Sequence, residues 1–118
     1  TWVRCCEESS YDEAPLRARG IQILDLSFPD GEAPPKPLIS KWLELCLNYD
    51  RTIAVHCVAG LGRAPLLVAI ALIESGCDAM EAVEIIRRRR RGAINRLQLQ
   101  YLQEYTPLRK KNSSCAMM

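Results

Sequence analysis

The chain has 118 residues, a formal net charge of +2, 48% hydrophobic and 25% charged side chains. That length allows one domain, and that composition suits a folded globular chain and excludes a disordered or collagen-like one. The longest apolar run, residues 64–73, is half of what a bilayer-spanning helix needs, and no charged-then-apolar leader pattern opens the sequence.

In chain order, TWVRCC (residues 1–6) reads as a strand at a sheet edge. Its cysteines, Cys5 and Cys6, then point to opposite faces. EESSYDEAP (7–15) reads as a loose segment. IQILDL (21–26) alternates and is rich in branched residues, which predicts a second strand. PDGEAPPKP (29–37) is a second loose segment, and Pro37 at its end suits the first turn of a helix. That helix is expected through LISKWLELCLNY (38–49), with Leu38, Trp42, Leu45 and Cys46 on its inner face.

TIAVHC (52–57) is a short apolar run closed by glycine-bearing sequence, hence a third strand. LLVAIALIES (66–75) is apolar nearly all round, which predicts a buried central helix with Gly76 as its cap. Asp78 with Glu81, and Asn95 with Gln98, form capping-box patterns ahead of AMEAVEIIRRRRR (79–91) and RLQLQYLQEY (96–105). Alternating strands and helices imply an α/β fold with a mostly parallel sheet flanked by helices.

The chemistry concentrates in VHCVAGLGRAP (55–65). A strand that delivers a side chain onto a tight glycine turn at a helix N-terminus builds an anion pocket, because the backbone N–H groups of Val58, Ala59, Gly60, Leu61, Gly62 and Arg63 can all point inward. The helix dipole and a nearby guanidinium favour thiolate over thiol at Cys57, which makes it a candidate nucleophile. The planar fork of Arg63 suits two phosphate oxygens at once, as a lysine would not. No Gly-Lys-Ser/Thr follows the turn, which excludes a nucleotide-binding phosphate loop. The apolar Val58, Ala59 and Leu61 favour a peptide or aryl phosphate over a phosphoinositide.

Six cysteines lack the regular spacing of a disulfide scaffold, and one histidine with no Cys-x-x-Cys pair argues against a metal site. No cofactor is expected, and a reducing compartment is. Five consecutive arginines, residues 87–91, cover every side of a helix and complement its C-terminus. No aromatic residue interleaves them, so nucleic acid is not an expected partner, and an acidic partner or anionic lipid is the better match. The last four residues, Cys115, Ala116, Met117 and Met118, fit a prenylation box whose terminal methionine favours farnesyl at Cys115. Arg109, Lys110 and Lys111 supply the second signal that one lipid chain needs.

HCVAGLGRAP resembles the phosphate loop of cysteine-dependent protein tyrosine phosphatases. Its Ala64 ending, with LIESG, AVEIIRRRRRGAIN, QLQYLQEY, YDEAP and DGEAPP, is similar to the phosphatases of regenerating liver, the prenylated type IVA enzymes, over nearly the whole chain. The resemblance implies a dual-specificity-like phosphatase fold, here lacking the strand, helix and strand that family domains carry ahead of TWVRCC. It divides the chain into a phosphatase domain, 1–108, and a basic prenylated tail, 109–118. It implies phosphotyrosine substrates, Cys57 as nucleophile, Arg63 as phosphate clamp, His56 as a neighbour that tunes the thiolate, and Asp30 as general acid. The family usually reads Trp-Pro-Phe-Asp-Asp-Gly around that acid, whereas this chain has Leu26, Ser27, Phe28, Pro29, Asp30 and Gly31. Most tyrosine phosphatases place a hydroxyl after the arginine; Ala64 has none, which implies slow hydrolysis of the phosphoenzyme.

The family also forms a reversible disulfide with the nucleophile. VRCC matches Cys6 to that partner, and counting back from Tyr11 matches Cys5. Further implied are residence on the cytoplasmic face of plasma and endosomal membranes, nuclear or cytosolic when unprenylated. Binding to a cyclin-M type magnesium transporter and self-association are implied as well.

Overall fold

The computed structural model describes residues 1–5, 13–29, 32–48, 52–57 and 62–107. Its elements are β1 (Trp2–Arg4), α1 (Ala14–Ala18), β2 (Ile23–Asp25), α2 (Lys36–Asn48), β3 (Ala54–His56), α3 (Arg63–Glu74), α4 (Ala79–Arg89) and α5 (Arg96–Gln103). The strands form one parallel sheet in the order β2-β1-β3, with Arg4 in register with Asp25 on one side and His56 on the other.

Trp2–Arg4 therefore forms the central strand of this sheet as described, not an edge. Val3 and Cys5 are fully buried on one face, while Arg4 faces the other way. A cation on a central strand needs partners, and Arg4 finds Glu13 at the start of α1 and Asp25 on β2. Neither partner is a sequence neighbour, so the stretch by itself does not show how the arginine is neutralised.

The stretch EESSYDEAP, expected to be loose, ends in the short helix α1, with Pro15 in its first turn where a missing N–H costs nothing. On α2 the buried residues are Ile39, Trp42 and Leu43, with Leu38, Leu45 and Cys46 half-buried beside them. The inner stripe is thus rotated slightly from the expected one. Trp42 crosses to α3, where its indole Nε1 donates to the Leu67 carbonyl at 2.8 Å.

Helix α3 is the hub of the core. Leu66, Leu67, Ala69 and Ile70 are fully buried, and α2, α4, α5 and β3 all pack against it. It ends at Ser75 and Gly76, the latter at φ +118°, a conformation that glycine adopts freely. Both capping boxes form: Asp78 with Glu81 opens α4, and Asn95 with Gln98 opens α5. Helix α4 stops at Arg89, earlier than the arginine run suggests. The Arg87 guanidinium turns back to donate to the carbonyls of Ala93 at 3.0 Å and Ile94 at 2.7 Å, and Gly92 takes φ +83° to bring them there. No described helix is long and apolar enough to cross a membrane.

Candidate active site

Because the three strands are parallel, their carboxyl ends meet at one edge of the sheet, the usual position for a ligand site in an open α/β fold. The ladder continues past the strands there. Cys5 N–H donates to the His56 carbonyl at 2.9 Å, and Phe28 N–H to the Cys5 carbonyl at 3.3 Å. Phe28, Cys5 and the His56–Cys57 step therefore stand side by side.

Cys57 leaves β3 half-buried, and its Sγ accepts a hydrogen bond from Ala64 N–H at 3.4 Å. That amide lies in the first turn of α3, where backbone N–H groups have no helical acceptor and the positive end of the dipole is exposed. The sulfur takes the place that a capping side chain would fill: Gly62 is the N-cap and contributes none. The donor lies one residue beyond the expected set, at Ala64. The expected set stopped at Arg63, although the second residue of a helix is one of the orphan donors too.

Arg63 is the first residue of α3 and only 6% exposed. Its Nη1 donates to the Phe28 carbonyl at 3.4 Å, so the guanidinium spans from the helix start to the segment that leads on to Asp30. Phe28 is itself buried. Nothing local marks this carbonyl as an arginine partner, since 35 residues separate the two. Just upstream, the Ser27 hydroxyl and backbone N–H both donate to Asp25, and these bonds, with Arg4 beside it, hold the Asp25 carboxyl below its ordinary range against a modest burial penalty.

His56 ends β3 with its ring against that of Trp2, the centroids 5.4 Å apart and the planes tilted by 52°. This aromatic contact is the other feature the sequence alone did not suggest. Cys5 is fully buried at the same sheet end, and Cys46, Cys57 and Cys77 are free thiols. Burial pushes the Cys46 thiol up to about 11. Asp30, Val58, Ala59, Gly60, Leu61, Cys6 and Cys115 lie outside the described residues. Among the described residues, no group of three or more His, Cys, Asp or Glu side chains is placed to hold a metal ion.

A cysteine sulfur that accepts a helix N-terminal amide, with a buried arginine carried in the same first turn at the end of a parallel sheet, is chemistry suited to a tetrahedral oxyanion. The relatives of this chain agree. The family described as "Polymorphic toxin system, DSP-PTPase phosphatase" matches residues 2–77. A probable protein tyrosine phosphatase type IVA A of Dictyostelium discoideum is 50% identical over 121 residues, covering 98% of this chain and 71% of its own length. The type IVA 3 phosphatase of Bos taurus is 52% identical over 112 residues, covering 91% of this chain and 64% of its own. Among solved structures, a putative protein tyrosine phosphatase from Leishmania major superimposes with a TM-score of 0.72 at 38% identity, over 89% of this chain and 71% of that one. Sequence and fold thus converge on one relationship, and the chain belongs to the protein tyrosine phosphatase type IVA family.

Proposed function

We propose that the chain hydrolyses phosphotyrosine through a cysteinyl-phosphate intermediate. The observation that carries this reading is the Ala64 N–H directed at Cys57 Sγ from the first turn of α3, with the Arg63 guanidinium buried next to it in the chain. The Cys57 thiolate attacks phosphorus, the P–O bond to the tyrosine breaks, and Asp30 gives its proton to the departing phenolate. Water then attacks the phosphorus, Asp30 takes its proton, the S–P bond breaks and inorganic phosphate leaves. Arg63 binds two equatorial oxygens through both steps, with the amides of residues 58–63 around the third. His56 acts from the strand end, next to Cys57 in the chain. The methyl of Ala64 gives the leaving thiolate no hydroxyl donor, so the second step limits turnover.

Single-turnover measurement on an aryl phosphate tests this reading. The expected result is a burst of one phenol per active site followed by slow release, and Cys57→Ser without any burst. Slow, burst-free hydrolysis that survives Cys57→Ser overturns it.

The slow step also supports a second role, capture of a partner at the same pocket, for which a cyclin-M type magnesium transporter is the partner the family suggests. Partner capture that survives Asp30→Ala while hydrolysis falls supports that role; loss of both together opposes it. The tail is the membrane anchor in this proposal. Cys115 carries a farnesyl group, Arg109, Lys110 and Lys111 add attraction to an anionic leaflet, and Cys115→Ser releases the protein from membranes in a fractionation.

A further inference from the structure

The arginine run does more than cap a helix. From Ile85 to Leu97 the chain carries six arginines and no acidic residue. Two of the six are accounted for locally: Arg87 holds the Ala93 and Ile94 carbonyls, and Arg88 approaches Glu84 at 4.0 Å. Arg89, Arg90, Arg91 and Arg96 are exposed, and among the described residues none has a hydrogen-bond or ion-pair partner. Arg96 is also misplaced for stability, because it is the first residue of α5, where a cation opposes the helix dipole.

Apolar side chains flank this charge. Leu97, next to Arg96, is 68% exposed, and Ile85, one turn before Arg89 on the same face of α4, is 38% exposed. The turn that carries the patch is tightly built. Ile94 is held at φ +68°, an outlier for a β-branched residue, and is buried, with its carbonyl gripped by Arg87. Strain of this kind persists where the surroundings over-determine it, and it tends to mark function. A rigid turn also loses little entropy on docking.

We infer that the α4–α5 corner is a docking surface for an anionic membrane, with Arg89, Arg90, Arg91 and Arg96 meeting lipid headgroups and Leu97 entering the interface. Exposed arginines interleaved with exposed aliphatic residues match the two layers of a bilayer surface, charge outside and hydrocarbon beneath. An acidic polypeptide would use the arginines and leave Leu97 in water. The surface acts without the farnesyl group, so it stands apart from the anchoring assigned to Cys115.

Vesicle co-sedimentation of the full, unprenylated chain tests it, using phosphatidylcholine vesicles with and without phosphatidylserine. Arg109→Gln/Lys110→Gln/Lys111→Gln serves as background, so that binding by the tail is removed. In that background the protein is expected to retain phosphatidylserine-dependent binding. Adding Arg90→Gln and Arg96→Gln lowers the partition coefficient by about five-fold each and flattens its salt dependence. Leu97→Gln lowers binding while leaving the salt dependence intact. Arg96→Gln leaves the melting temperature unchanged or higher, since it removes a cation from a helix start, so weaker binding cannot be ascribed to unfolding. Three results overturn the inference: no binding in the tail-substituted background, no loss on Arg90→Gln with Arg96→Gln, or Leu97→Gln without effect while soluble polyglutamate displaces the protein from vesicles.

Discussion

The Arg63 guanidinium reaches back 35 residues to the Phe28 carbonyl, 3.4 Å away, and so ties the start of α3 to the segment that leads into Asp30. If Arg63 clamps phosphate, a lysine in its place keeps the charge and loses the two-pronged geometry. Arg63→Lys is expected to lower kcat/KM by about a thousand-fold, with the loss mainly in kcat. Steady-state kinetics on an aryl phosphate checks this, and a variant within a few-fold of the wild type removes Arg63 from the chemistry.

Ala64 gives its N–H to Cys57 Sγ and has only a methyl to offer beyond that. Ala64→Ser keeps the amide and adds a hydroxyl in the first helical turn, where it is able to protonate or hydrogen-bond the departing sulfur. Steady-state turnover is expected to rise, by about ten-fold or more, because one added hydrogen bond to a charged group is worth about 1.5–3 kcal/mol. The burst of phenol should shrink relative to the steady rate. An unchanged ratio of burst to steady rate means that phosphoenzyme hydrolysis is not the slow step.

Trp42 joins α2 to the hub helix through both packing and its 2.8 Å bond to the Leu67 carbonyl. Trp42→Phe retains most of the buried ring area and removes the donor, so the expected cost is about 1 kcal/mol, seen as a melting temperature lower by about 4 °C. Trp42→Ala removes the ring as well and should cost about 3–5 kcal/mol. Equal effects of the two substitutions would show that the indole N–H contributes most of the stabilisation.

Much of this was legible in the sequence where the interacting residues are close along the chain. Strand β3, the turn and the start of α3 lie within a dozen residues, so Cys57 and Arg63 could be placed at one turn from spacing alone. The capping boxes at Asp78 and Asn95 were equally readable, because both partners sit three residues apart. Features that depend on distant partners were not. The central position of β1 rests on Glu13 and Asp25 neutralising Arg4, the placement of Arg63 on a backbone carbonyl from another loop, and the early end of α4 on Arg87 folding onto a turn that had yet to form. The α2 stripe shifted for a related reason: the sequence shows which residues are apolar, while α3 decides which of them face inward.

Asp25 should give the protein a distinct acid limb. Its carboxyl is held below the ordinary range by Ser27 first and Arg4 next, so the folded state favours the ionised form more than the unfolded chain does. The contribution is fully present above the unfolded carboxylate range, near pH 4, and fades as pH falls through the lower folded value. The side chain is 55% exposed, so the effect is small. Asp25→Asn is expected to reduce the loss of melting temperature below pH 4 while lowering stability slightly at neutral pH. A steeper acid limb in the variant would contradict this assignment.

Cys46 shapes the alkaline side in the opposite sense. Burial on α2 pushes its thiol up to about 11, whereas in the unfolded chain a cysteine loses its proton near pH 8.5. Between those values the folded state holds a proton that the unfolded state has released, so stability falls as pH rises through that window. At pH 8 the folded protein therefore holds Cys46 almost wholly as the thiol, and it is the thiolate that alkylates. Iodoacetamide is therefore expected to leave Cys46 untouched in the folded protein at pH 8 and to modify it on unfolding or toward pH 11. Cys46→Ala should flatten the alkaline limb of the melting curve. Rapid labelling of Cys46 at neutral pH, with the fold intact, would show that α2 leaves this thiol open to water and would remove the basis for the alkaline prediction.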